Sequence, residues 1–169
     1  FGVNNELVEA KFKGMFVTAV FGKFNIETCE VNFVNAGHES IMVFDRNKNF
    51  EFIKSEMPPI GIIKYFTESM VKSKTINLKD KTFVVYTDGV TEGYLKNGEE
   101  LGAEGVQKIV KGLTSITPKI IVDSIAEKLN WGAEKLRDDI TCLALDLKNT
   151  DLIKQIKKKK VENKEESKI

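Results

Sequence analysis

The chain has 169 residues, of which 41% are hydrophobic and 30% charged, and its formal net charge at pH 7 is +1. That length can bury about two-thirds of the unfolded surface in one core, and the near-neutral charge excludes a basic field for nucleic acid. No apolar run approaches the roughly 18 residues of a membrane span, so we expect no membrane contact from this segment. Two widely spaced cysteines exclude a disulfide scaffold and favour the cytoplasm, although an upstream membrane or sensor region is compatible with this.

The first half of the chain has the pattern of consecutive β-strands. Residues 15–24, MFVTAVFGKF, carry apolar groups on both faces, which predicts a strand inside a sheet. Strands are also predicted at 29–37, 40–46 and 49–53, as antiparallel neighbours. The two prolines of MPPIG, residues 57–61, must interrupt regular structure.

One of the next two predicted strands ends on a charged residue, which conflicts with its apolar character. Residues 68–78 alternate weakly, which predicts an exposed strand, and TFVVYTDGVTEGY, residues 82–94, contains a strand that runs into Asp88 and Gly89. An ionised carboxylate that is left unpaired in an apolar setting costs more than packing recovers. The Asp88 carboxylate must therefore reach water, a hydrogen-bonding turn or a cation.

The period of the apolar residues changes to that of helices after Gly102. The first helical stripe consists of Val106, Ile109, Val110 and Leu113. A second helix is predicted to begin at Thr117, with Pro118 at its first position and with Ile121, Ile125 and Leu129 inward. A closing strand at 139–147 completes about seven strands and two helices, which favours an α+β layered domain.

The C-terminal segment differs from the rest in composition. Residues 151–169 carry seven lysines and four acidic residues, a low-complexity pattern without a core. We therefore predict one domain over residues 1–148 and a charged, disordered tail over residues 149–169.

Two acidic turns, Asp88-Gly89 and Asp138-Asp139, flank two of the predicted strands. If these strands are antiparallel neighbours, the end of one lies beside the start of the other, and the carboxylates converge. Converging carboxylates favour a hard divalent cation such as Mg²⁺ or Mn²⁺. Spacing alone leaves the alternative open that both are ordinary turn residues.

Other kinds of site fit the sequence poorly. Residues 88–99 have the length of an EF-hand loop, but Val90 and Lys96 occupy ligand positions and a strand precedes the loop. His38, the only histidine, is followed four residues later by Met42 where a zinc-protease motif needs a second histidine. The chain has no serine-hydrolase elbow, phosphate-binding loop or dinucleotide motif.

Five segments in order support a more specific interpretation; they are MFVTAVFG, VNFVNAGHES, PPIGI, FVVYTDGVTEG and RDDITCLAL. Together they resemble the sporulation and stress-response branch of the metal-dependent, type-2C-like protein phosphatases. The resemblance implies a four-layer αββα sandwich of two antiparallel sheets flanked by helices. It also implies hydrolysis of phosphoserine or phosphothreonine by a water that two Mn²⁺ or Mg²⁺ ions activate.

The resemblance assigns roles to individual residues. Asp88 and Asp138 match the metal ligands of the family, which makes them the expected catalytic residues. Asp139, Gly89 and His38 are expected to support the site or lie near the substrate.

One element of the family pattern does not occur. The family's first acidic motif begins with a Gly-Asp dipeptide, and the sequence contains none, so we expect an N-terminally truncated domain with weak Mn²⁺ binding and little activity.

The expected partner is a phosphorylated protein, such as an anti-sigma antagonist. The alternative is a non-catalytic binding module with the same fold. Exposed sheet edges in a truncated domain would also permit a homodimer.

Overall fold

The computed structural model describes residues 2–10, 14–129 and 138–147. Within these ranges the chain forms seven strands, as the sequence predicts. The elements are α1 (Gly2–Glu9), β1 (Ala19–Asn25), β2 (Glu30–Ala36), β3 (Ile41–Asp45), β4 (Phe50–Ile53), a 3-10 turn (Glu68–Met70), β5 (Ser73–Asn77), β6 (Lys81–Tyr86), α2 (Asp88–Thr91), α3 (Gly102–Gly112), α4 (Pro118–Lys128) and β7 (Cys142–Asp146). The predicted tail lies outside the described residues, and the domain boundary at residue 148 stays a prediction.

The strands form two antiparallel sheets that pack face to face. Sheet 1 has the order β1-β2-β5 and sheet 2 the order β4-β3-β6-β7. Alternating residues of β2, β3 and β6 are buried between the sheets, with the rings of Phe33 and Phe83 in edge contact at 5.4 Å between centroids. The predicted class, two antiparallel sheets flanked by helices, is confirmed.

Helices α3 and α4 cover the outer face of sheet 2. Residues of both helices pack against the sheet side chains that point away from sheet 1; they are Val106, Val110, Ile121 and Ile125 against Met42, Phe44, Val84 and Tyr86. The predicted N-cap is confirmed, since the Thr117 hydroxyl accepts a hydrogen bond from the Ile120 amide at 3.3 Å. Each of these helices has 11 residues, and no helix in the described ranges has the length and apolar character of a membrane span.

Two predictions about the strands are wrong. Residues 15–24 are predicted to lie inside a sheet, but β1 is an edge strand that pairs only with β2 in the described chain, and its Phe21 is 60% exposed. The expected antiparallel series also breaks after β2. β3 pairs with β4 as predicted, whereas β2 lies in the other sheet, because the chain crosses between sheets at the loop of Gly37 and His38.

The weak pattern at residues 68–78 gives a shorter strand than expected. β5 begins only at Ser73, after the 3-10 turn, and it is the second edge of sheet 1. Its exposed and half-buried residues alternate, as the sequence predicts for an exposed strand.

We expect the chain to self-associate through β1, because a free strand edge with exposed apolar side chains pairs readily with another strand. In a concentration series followed by light scattering, the average mass should rise with concentration. Phe21→Thr keeps strand propensity but removes the exposed ring, so it should lower the association.

Tyr65→Thr is the matched control, because Tyr65 is an exposed aromatic residue outside the strands, and this variant should associate like the unmodified chain. A monomer at every concentration would contradict the prediction.

Candidate functional site

The two acidic turns lie at the same edge of sheet 2. β6 and β7 are antiparallel neighbours, and Tyr86 at the end of β6 is paired with Cys142 at the start of β7. Asp88 follows β6, and Asp138 and Asp139 precede β7, so the two chain segments meet beyond this pair. The predicted pairing of these strands is therefore observed and brings the two segments together, although they lie 50 residues apart in sequence, while the convergence of the carboxylates themselves stays a prediction.

Thr87 joins the two segments by hydrogen bonds. Its backbone amide donates to the Thr141 carbonyl at 3.0 Å. Its hydroxyl accepts from the Thr141 amide at 3.0 Å and donates to the Asp139 carbonyl at 3.1 Å. These bonds extend the contact between the strands to the acidic turns themselves.

Gly89 allows a close approach between the same turns. A Cβ atom at this position would lie 2.4 Å from the carbonyl oxygen of Asp139, well inside van der Waals distance. Any other residue would push the two acidic segments apart. The supporting role of Gly89 stays a prediction, but this approach gives it a physical basis.

Each of the two expected metal ligands has one carboxylate oxygen bound by a local amide. Asp88 Oδ1 accepts from the Gly89 amide at 2.9 Å, and Asp138 Oδ1 accepts from the Asp139 amide at 2.7 Å. Both side chains are exposed, and no described hydrogen bond reaches the second oxygen of either. Such oxygens are the donors that Mg²⁺ and Mn²⁺ prefer, so the donor type fits these ions.

The described residues contain no group of three or more His, Cys, Asp or Glu side chains that could hold a metal ion. The structure thus brings the two acidic backbones together without gathering a complete set of ligands. The assignment of Asp88 and Asp138 as metal ligands, and of Asp139 as a support, stays a prediction.

Two other ionisable side chains at this edge, Tyr86 and Cys142, are largely buried. Burial raises the pKa of Tyr86 to about 12, with a smaller contribution from the nearby negative charge of Glu39, and it raises the pKa of Cys142 to about 11. Both groups are therefore protonated at neutral pH. Neither side chain thus adds negative charge to that of the aspartates.

His38 lies in the loop between β2 and β3. Its Nδ1 is 3.1 Å from the Thr18 hydroxyl, and its backbone amide donates to Asn35 Oδ1 at 2.9 Å. Asn35 also donates from Nδ2 to the Glu39 carbonyl at 3.0 Å, so this 5% exposed side chain bridges the loop. No described hydrogen bond joins His38 to either acidic turn, and its expected role stays a prediction.

The loop that carries His38 packs against the proline segment. Gly37 has a φ of +66°, and a Cβ atom there would lie 2.3 Å from Pro59 Cγ. The Ser55 hydroxyl accepts from the Gly37 amide at 2.8 Å and lies 2.8 Å from the carbonyl oxygens of Asn35 and Met57. The motifs NAGHES and PPIGI thus form one structural unit, which sequence spacing did not reveal.

Comparison with known proteins supports the resemblance. The family model for stage II sporulation protein E (SpoIIE) matches residues 3–148. Protein IcfG of Synechocystis sp. is 27% identical over 133 residues, which are 78% of this chain and 20% of IcfG.

Two solved structures share the fold. The Mn-presoaked phosphatase domain of the cell fate determinant SpoIIE from Bacillus subtilis has a TM-score of 0.58 at 21% identity, over 84% of this chain and 61% of that one. The SiaA-PP2C domain of Pseudomonas aeruginosa has a TM-score of 0.61 at 18% identity, over 82% and 55%. The chain therefore spans less than two thirds of the length of these relatives.

The close approach at Gly89 generates a prediction. Gly89→Ala should lower the free energy of unfolding by about 1–3 kcal/mol, because the added methyl overlaps the Asp139 carbonyl and the backbone must move. Chemical denaturation in metal-free buffer measures the change.

The control is Gly112→Ala, where an added Cβ meets nothing within 4 Å and the residue is helical. That variant should be as stable as the unmodified chain or slightly more stable. Equal stability of the two alanine variants would show that the predicted overlap is absent.

Proposed function

Because the chain belongs to the SpoIIE family of PP2C-like phosphatase domains, we propose that it forms part of a metal-dependent serine/threonine protein phosphatase. The observation that carries the proposal is the hydrogen-bonded junction of β6 and β7, which brings the segments of Asp88 and Asp138 to one edge. The proposed reaction is hydrolysis of a phosphomonoester on a phosphorylated protein.

The acidic residues of this edge are the proposed binding groups for Mn²⁺ or Mg²⁺. Asp88 and Asp138 each have an exposed carboxylate with one oxygen held by a local amide, which orients the other oxygen for a cation. Asp139 supports the turn through its carbonyl, and His38 belongs to a loop that Asn35 orders. In the complete site these residues would hold divalent ions, which would supply a water activated for attack and positive charge to neutralise the phosphate.

We further propose that the substrate is a regulatory protein, such as a phosphorylated anti-sigma antagonist. The three aspartates are exposed, so a phosphorylated side chain on a protein surface can reach them. A cavity of about 330 Å³ lies elsewhere, beside Leu95 and the end of α4, and neither acidic turn lines it.

A non-catalytic binding module is the second candidate. It is favoured by the lack of a group of three metal-ligating side chains in the described part of the chain. The two candidates differ in one measurable property, because a phosphatase must bind divalent ions at Asp88 and a binding module need not.

Asp88→Asn tests the proposed metal site. The variant should weaken Mn²⁺ binding by about tenfold or more, because a neutral amide replaces a charged ligand. Its melting temperature in metal-free buffer should change little, since asparagine has nearly the same volume and its Oδ1 can still accept from the Gly89 amide. Paramagnetic broadening of amide NMR signals during a Mn²⁺ titration gives the affinity.

Asp123→Asn is the matched control, because Asp123 is an exposed aspartate on α4 that pairs with Lys119. It should leave Mn²⁺ binding unchanged. Unchanged Mn²⁺ binding in Asp88→Asn would remove Asp88 from the metal site and favour the binding module.

The 169-residue chain by itself should turn over p-nitrophenyl phosphate only slightly above the rate in excess chelator. The reason is that two carboxylates are fewer protein ligands than a site for two hard ions requires. Initial rates with and without Mn²⁺ measure this, and robust Mn²⁺-dependent turnover would overturn the expectation.

A further inference from the structure

At the end of β6, the side chain of Thr87 replaces one backbone hydrogen-bond acceptor of the antiparallel pair. In a regular antiparallel pair, two opposite residues exchange both of their backbone hydrogen bonds. The Thr87 amide donates to the Thr141 carbonyl at 3.0 Å, as this pattern requires. The reciprocal bond differs, because the Thr141 amide donates to the Thr87 hydroxyl, at 3.0 Å, instead of to the Thr87 carbonyl.

Because the Thr141 amide is bound by the hydroxyl, the Thr87 carbonyl can accept a hydrogen bond from another amide. That carbonyl accepts from the Val90 amide at 2.9 Å and so closes the first turn of α2. The chain can therefore leave the sheet at Asp88 while residue 87 is still bonded to β7. Without a side-chain acceptor at residue 87, the Thr87 carbonyl would have to accept from both the Thr141 and the Val90 amides, or one of these amides would lose its partner.

The same hydroxyl also fixes the opposite acidic turn. It donates to the Asp139 carbonyl at 3.1 Å. Gly89 lies close to the same carbonyl, since a Cβ atom added to the glycine would be 2.4 Å from the Asp139 oxygen. The Asp139 carbonyl is thus held by a hydrogen bond from Thr87 and limited by contact with Gly89. Asp138, one residue earlier, takes its position from this anchored carbonyl.

We propose that Thr87 is a positioning residue that sets the separation of the Asp88 and Asp138 carboxylates, and through it the affinity of this edge for divalent ions. The inference rests on the proposed function, since it assumes that these aspartates bind metal. Thr87 itself makes no contact with the metal or substrate in this proposal. Its hydroxyl acts through the backbones of Asp139 and Thr141.

The test compares Thr87→Val with Thr87→Ser. Valine has the shape of threonine without the hydroxyl, whereas serine retains the hydroxyl and loses only the methyl group. A Mn²⁺ titration of the 169-residue chain, followed by broadening of the Gly89 and Asp139 amide NMR signals, gives the affinity at this edge. We expect about tenfold weaker binding for Thr87→Val and a change within about twofold for Thr87→Ser.

Thr82→Val is the control for a threonine-to-valine change in β6. Thr82 lies at the opposite end of the strand, paired with Asp146, so its replacement should leave Mn²⁺ binding unchanged. Hydrogen exchange in metal-free buffer gives a second readout. The Thr141 amide should exchange faster in Thr87→Val and at the original rate in Thr87→Ser.

The outcomes separate this inference from the proposed function. If the unmodified chain shows no Mn²⁺ broadening at Gly89 and Asp139, the proposed metal site at Asp88 and Asp138 fails, and this inference fails with it. If it binds Mn²⁺ and Thr87→Val binds equally well, or Thr87→Ser is as weak as Thr87→Val, only the role of the Thr87 hydroxyl is overturned. If Thr87→Val does not fold, Thr87→Ala replaces it in the same comparison.

Discussion

The acidic edge depends on the antiparallel pairing of β6 with β7. This pairing joins two parts of the chain that helices α3 and α4 separate in sequence, and it fixes which residues of each strand are opposite. A shift of one residue would turn the buried Val84 and Tyr86 away from the helices, so the hydrophobic core holds the register. The positions of the acidic turns therefore follow from the packing of apolar side chains that lie behind them.

Much of the fold could be predicted because apolar residues recur with the spacing that each regular element needs to reach a core. The apolar residues of β2 and the helical stripe through Val106 and Val110 correspond to buried positions, and the apolar run of β6 is buried on both faces of sheet 2. Pairing is harder to predict, because alternation shows which side of a strand is buried and not which strand lies beside it. This explains why β1 was expected inside a sheet and why the crossing between β2 and β3 was missed.

The candidate site was predictable to the extent that it depends on residue type and strand order. Asp88 and Asp138 were identified by their place in short motifs, and the antiparallel pairing explains why their segments meet. The contacts of Thr87 and Asn35 were not predictable, because hydrogen bonds between side chains and backbone leave no periodic pattern in the sequence. Such bonds become visible only when the distant partner of each side chain is known.

The contact between Gly37 and Pro59 has an evolutionary consequence. A larger side chain at position 37 would need both a left-handed backbone and the space that the proline ring fills. Position 37 cannot accept a larger side chain while Pro59 is retained, whereas the glycine places no such limit on position 59. Among descendants of this sequence, a substitution of Gly37 should therefore follow a substitution of Pro59 and not precede it.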